Sequence, residues 1–226
     1  MFSQIKQTAT TNLHHTKKYL EEVGNLIPPP PNEPTDFHNS LKGMFFVYLY
    51  GVYEAIITST VLKTIAALNN SQTPLSDCIV DLLPMILNNE YDALHTVSSN
   101  KKWEKRWNIS QKIRDNSPIS INTELVPTDG KNYQYAQLES IVKSFGVPHN
   151  PLPRPEIGGH IREMVVNRNH IAHGDELPQD VGKRYTMTEL LKRWQEIDEF
   201  CTYFVDMFEN YINTSEYKKS SSPQQN

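Results

Sequence analysis

The densest cluster of polar chemistry in the chain is Asn167-Arg168-Asn169-His170-Ile171-Ala172-His173-Gly174-Asp175, with an arginine, two histidines, two asparagines and an aspartate in nine residues. Such a set suits a phosphodiester. An imidazole, with an ordinary pKa of about 6.5, can take the proton from an attacking 2′-hydroxyl or give one to a leaving 5′-oxygen. A guanidinium, always charged and fork-shaped, can neutralise the phosphorane oxygens. The Asn169 amide can hold the phosphate or fix the histidine tautomer. None of these steps requires a metal or a cofactor. Blander readings stand beside this one. Arg168 can pair with Glu163 or Asp175, and His173-Gly174 can be an ordinary helix C-terminus, where the dipole favours histidine. His170, His173 and Asp175 offer three metal donors without a clear fourth, so no metal site is expected.

The elements around the cluster set its geometry. Apolar spacing predicts a helix over 157–172, ended by Gly174, a residue suited to a left-handed C-terminal position. At 100° per residue, Asn169 and His173 lie about 40° apart around that helix, whereas Arg168 and His173 lie about 140° apart. Both can meet one ligand only if the helix loosens at Gly174 or if the site is a wide cleft, such as a groove between two subunits.

Elsewhere the pattern is helical throughout. Residues 4–24 are polar with a weak helical rhythm and precede five prolines in the seven residues 28–34, so 1–35 reads as a helical arm on an extended spacer. From Asp36, an expected N-cap, three-and-four spacing runs to Ala66 as the longest helix. A second core helix is expected from Pro74 to about Ile86, and others over 135–145 and, from the Thr186/Glu189 capping box, to Ile212. Aromatic and aliphatic side chains from Trp194 to Tyr211 form the cleanest stripe, a core face or a dimer interface. Loop signals fill 115–132, including the turn dipeptide Asp129-Gly130, and four prolines in 148–155 mark another break. No strand–helix alternation, glycine-rich phosphate loop or repeat is present, so the expectation is an all-α bundle of at least five core helices spanning 36–213, with a disordered tail over 214–226.

Charge and apolarity narrow the class further. The chain has 22 Lys+Arg against 26 Asp+Glu, a net of −4, which excludes a uniformly basic nucleic-acid coat. Segment 101–114, KKWEKRWNISQKIR, nonetheless carries six bases and one acid, so +5 is concentrated there and −9 on the remainder. Lys101, Lys102, Trp103, Lys105 and Arg106 are therefore candidate RNA contacts, since tryptophans at i and i+4 among bases can stack and neutralise a single strand. Core packing of the Trp103/Trp107 pair is the more ordinary reading. Residues 44–62 approach the length of a membrane span with Glu54 as their only charge. That mid-segment carboxylate and the three tyrosines favour a buried core helix and argue against a membrane partner. Glu54 is then a buried acid whose expected partner is Arg168, or a surface acid near Lys63. Two cysteines 123 positions apart, and no signal-peptide core, point to a reducing, cytoplasmic setting.

Arg168-Asn169-His170-Ile171-Ala172-His173-Gly174 resembles the RN-x-x-AHG form of the Arg-x4–6-His signature of the HEPN superfamily. The segment MFFVYLYGVYE at 44–54 resembles the long early helix of the RiboL-PSP type, with an acid at Glu54. The resemblance covers roughly 36–213. It implies a metal-independent endoribonuclease, active as a homodimer whose two motifs face each other across a cleft, cutting RNA to leave a 2′,3′-cyclic phosphate. By the same carry-over Arg168 and His173 are the catalytic pair and Asn169 assists, with Glu54 and His170 as weaker assisting positions. It also implies kinship with toxins and effectors of bacterial defence, which a partner protein, an antitoxin or sensor, silences. Some HEPN domains only bind, so the alternative is a non-catalytic module for RNA or protein.

Overall fold

The computed structural model describes residues 2–128 and 132–219. Among them are nine α-helices and no strands: α1 (Ser3–Leu26), α2 (Asp36–Asn70), α3 (Leu83–Ile86), α4 (Asn88–Thr96), α5 (Lys102–Arg114), α6 (Tyr135–Phe145), α7 (Glu156–His173), α8 (Pro178–Lys183) and α9 (Met187–Asn213). The all-α bundle is as expected.

Helix α2 is the axis. Phe45, Phe46, Leu49, Tyr53, Ile57, Val61, Ile65 and Leu68 recur at three-and-four spacing and are fully buried. By length and composition α2 could cross a membrane, but here α1, α7, α8 and α9 pack around it. Its N-cap is Thr35, one residue before the expected Asp36, with the Thr35 amide donating to His38 Nδ1 at 3.0 Å. Helix α9 begins where its capping box requires, the Thr186 amide donating to Glu189 Oε2 at 2.8 Å and the Glu189 amide to Thr186 Oγ1 at 3.2 Å. Its stripe Ile197, Phe200, Cys201, Phe204, Phe208 and Tyr211 is core.

Helix α8 touches α2 backbone to backbone. A Cβ on Gly182 would lie 1.9 Å from the Asn39 carbonyl oxygen, and one on Gly43 would lie 2.0 Å from that of Pro178. Only glycine at both positions permits this approach.

Three expectations are corrected. The N-terminal segment is not an arm: Ala9, Leu13, Thr16, Leu20 and Val23 form a buried stripe of α1, which packs against α2 and α9, and Phe2 just before it is fully buried. Trp194 Nε1 donates to the Leu13 carbonyl at 2.9 Å, and the Tyr19 hydroxyl to that of Leu41 at 2.7 Å. The stripe is about one residue per turn wide and includes Thr16 and Ala9, too thin to stand out in a polar sequence, yet burying Leu13 and Leu20 alone contributes about 1.5–3 kcal/mol each. Second, 74–86 is not one helix but two 3₁₀ turns, Leu75–Asp77 and Val80–Leu82, followed by the single turn α3. Its buried Leu75, Leu82 and Met85 match a helical rhythm because 3₁₀ turns place apolar residues at similar intervals. Third, 214–219 is packed. Tyr217 is buried, its carbonyl accepts from the Ile79 amide at 3.0 Å, and the Lys219 amide donates to the Asp77 carbonyl at 2.8 Å. The remainder of the expected tail and the Asp129-Gly130 turn lie outside the described residues.

Candidate functional site

Helix α7 stays regular through His173, and Gly174 closes it in the left-handed region at φ 77°. The helix therefore does not loosen. Arg168 and His173 remain about 140° apart and about 7.5 Å apart along the axis.

Arg168 is held from three sides. Its guanidinium carbon lies 4.6 Å from the centre of the Tyr50 ring on α2, a cation–π contact. Nη1 donates to Asn169 Oδ1 at 2.9 Å and, at 3.5 Å, to Asn132 Oδ1. Asn132 Nδ2 donates to the same Asn169 oxygen at 3.0 Å. The Tyr50 hydroxyl stands 3.0 Å from Glu54 Oε1 and 3.2 Å from Asn132 Oδ1, with one proton to give to either. Burial, with Glu54 adding to it, pushes Tyr50 well above the ordinary tyrosine range, so it remains a donor at any physiological pH.

Two expectations about pairing are thereby revised. Among the described residues Arg168 makes no ion pair, neither with Glu163 nor with Asp175. Glu54 is half-buried and meets the Tyr50 hydroxyl, not Arg168 directly. A half-buried guanidinium packed on a ring and held by amide oxygens keeps its full positive charge for an anion.

The opposite face of α7 is braced. Buried Asn167 donates to the Tyr185 hydroxyl at 2.8 Å and accepts from Arg184 at 3.3 Å. Tyr185 donates to Glu163 Oε1 at 2.9 Å, and Arg193 pairs with Glu163 Oε2 at 2.5 Å. His170 belongs to this network: its Nδ1 lies 2.6 Å from Glu176, which also pairs with Arg184 at 2.9 Å. The structure thus places His170 with Glu176 and away from Arg168. His173 is exposed. Among the described residues no group of three or more His, Cys, Asp and Glu side chains converges, so His170, His173 and Asp175 are not gathered together.

A cavity of about 750 Å³ opens between the start of α6 and α7, lined by Asn132, Gln134, Tyr135, Gln137, Arg162 and Asn169. Gly158, Arg162, Asn169 and His173 fall within about 60° of one another around α7, so this stripe borders the cavity and runs on to the exposed histidine. Sequence reasoning missed Tyr50, Asn132 and Arg162. Tyr50 had a faint signal in its i, i+4 spacing to Glu54, and Arg162 in its spacing to Asn169. Asn132 had none, because it arrives from a loop 37 residues from Asn169.

Lys101, Lys102, Trp103, Lys105 and Arg106 are not brought to this site; they lie on and just before α5, which packs on α4 and the neighbouring 3₁₀ turns. The core reading of the Trp pair is overturned, since Trp103 is 65 % and Trp107 62 % exposed.

These features define an all-α bundle whose arginine–asparagine–histidine motif closes a long helix braced on one face and open on the other. The family model described as RiboL-PSP-HEPN matches residues 11–210, and the chain belongs to that family. The matched span begins inside α1 and ends inside α9, so it includes most of the N-terminal helix. No curated protein and no solved structure matches the chain. HEPN domains are commonly ribonucleases, and membership points to a nuclease-type or RNA-related role.

Proposed function

We propose that this chain is a metal-independent endoribonuclease that cleaves RNA by attack of the 2′-hydroxyl on the adjacent phosphate, leaving a 2′,3′-cyclic phosphate and a 5′-hydroxyl. The observation that carries the reading is Arg168: half-buried, fixed over Tyr50 and beside Asn169, and without a carboxylate partner among the described residues. A phosphate is the anion that such a fork fits.

In this reading Arg168 neutralises charge that grows on the non-bridging oxygens in the transition state. Asn169 uses its carbonyl oxygen to hold Arg168 and Asn132, which leaves its amide hydrogens for a phosphate oxygen or for His173. His173, exposed at the helix end, serves as the acid or base that moves the proton. Tyr50, Asn132 and Glu54 are positioning residues. His170, tied to Glu176, holds the last turn of α7 to the segment leading into α8.

One copy does not aim Arg168 and His173 along one line, and the helix does not bend to correct this. The reading therefore includes a homodimer in which two α7 ends face each other, Arg168 of one copy working with His173 of the other. A toxin or effector role under restraint by an antitoxin or sensor protein, in the cytoplasm, completes the proposal. Growth arrest on expression, and RNA cleavage by the purified chain, test it against Arg168→Ala and His173→Ala. Both variants are expected to relieve arrest and lose cleavage while folding normally; arrest and cleavage equal to wild type contradict it.

A further inference from the structure

Helix α5 has no buried residue along its thirteen positions. Its inward side carries half-buried Lys105 and Ile109, and Lys112, which pairs with Glu90 at 2.5 Å. On the other side Trp103, Trp107, Ser110 and Arg114 recur at four, three and four residues, all within about 60° of one another, flanked by Arg106 and Lys102. Arg106 lies 4.8 Å over the Trp103 ring, yet Trp103 is still 65 % exposed. Two large indoles in water at adjacent turns are costly unless something covers them.

We infer that this face is a second RNA-binding site, a stacking platform for single-stranded RNA separate from the α7 motif. The charge decides the occupant. A second copy of the chain would set Lys102, Arg106 and Arg114 against the same cations at the same contact, whereas a polyanion relieves that charge. Exposed indoles a helical turn apart accept the π-faces of successive bases without reading their edges, and a duplex does not offer those faces. Lys102, Arg106 and Arg114 lie beside them to meet the phosphates.

The inference rests on the ribonuclease reading for what the strand is used for, but its test is separate. The full chain carrying His173→Ala is titrated with a fluorescein-labelled twelve-nucleotide oligouridylate, with a duplex of equal length, and with unlabelled polyglutamate as competitor. Trp103→Ala with Trp107→Ala is expected to weaken single-strand binding at least about tenfold. Trp103→Phe with Trp107→Phe should retain most of it. Lys102→Ala with Arg106→Ala should reduce the slope of log affinity against log salt by about 1.4. Because both tryptophans are exposed, circular dichroism should be unchanged in every variant. Binding indifferent to both tryptophans overturns the inference; so does equal binding of the duplex, and so does displacement by polyglutamate, which assigns the face to an acidic protein. If wild type cuts no RNA while Trp-dependent binding persists, the nuclease reading falls and the platform stands. If cleavage needs Arg168 and His173 while binding ignores the tryptophans, only the platform falls.

Discussion

The guanidinium of Arg168 sits 4.6 Å from the centre of the Tyr50 ring, and Tyr50 is itself 1 % exposed in the core of the bundle. The most polar part of the motif therefore rests directly on the most apolar helix. The ring fixes the height of the guanidinium, while Asn132 and Asn169 fix its rotation.

Removing the ring should cost more catalysis than removing the hydroxyl. Tyr50→Phe keeps the cation–π contact and loses one buried hydrogen bond, worth about 0.5–1.5 kcal/mol, so cleavage should fall by about two- to tenfold. Tyr50→Leu also loses an attraction of about 0.5–2 kcal/mol and should fall further, with kcat affected more than KM. Kinetics on a short RNA give the comparison; an unchanged kcat in both variants contradicts the positioning role.

Alkaline stability follows from the tyrosines. Burial holds the hydroxyls of Tyr50, Tyr53 and Tyr211 well above their ordinary range, whereas in the unfolded chain they titrate near 10. Above about pH 10 the unfolded state holds fewer protons than the native state, so stability falls as pH rises and is unaffected by these groups below that point. Urea midpoints between pH 8 and 11.5 should bend downward near 10, less steeply in Tyr53→Phe. A level profile contradicts the burial.

The contact between α2 and α8 is a backbone contact, and backbone cannot yield as a side chain can. Gly182→Ala should therefore destabilise by about 3 kcal/mol or more, and Gly43→Ala similarly. A Cβ at Gly51, in the same helix α2, meets nothing within 4 Å, so Gly51→Ala should stabilise by about 0.5–1 kcal/mol through helix propensity. Urea denaturation separates these; tolerance of alanine at Gly182 would show that α8 is not locked.

The 140° between Arg168 and His173 predicts complementation between copies. Arg168→Ala and His173→Ala chains, each inactive alone, should regain activity when mixed and re-equilibrated, because a mixed dimer holds one site with both native residues. Random pairing allows about one quarter of wild-type activity. No recovery, with mixed dimers demonstrated, would place both residues of a site in one chain.

How much of this was legible in the sequence depends on range. The α7 motif, its Gly174 stop, the α9 capping box and the core stripe of α2 are written in neighbouring residues, and the structure follows them. What was hidden needed contacts across the chain. Thr16 and Ala9 look like surface positions until α9 covers them, so α1 read as an arm. Asn132 reaches Asn169 from a loop that no periodicity describes. Trp103 and Trp107 read as core by residue type, because type says nothing of whether another element arrives to bury them.

Cleavage of a defined RNA in the presence of a chelator, with the product ends mapped, separates 2′-hydroxyl attack at the α7 motif from every other route. Cutting is expected to persist without divalent metal, with products ending in a 2′,3′-cyclic phosphate and a 5′-hydroxyl, and to fall by about 10²–10⁴-fold in His173→Ala at unchanged stability. Products carrying a 5′-phosphate, or wild-type rates in His173→Ala, would contradict it.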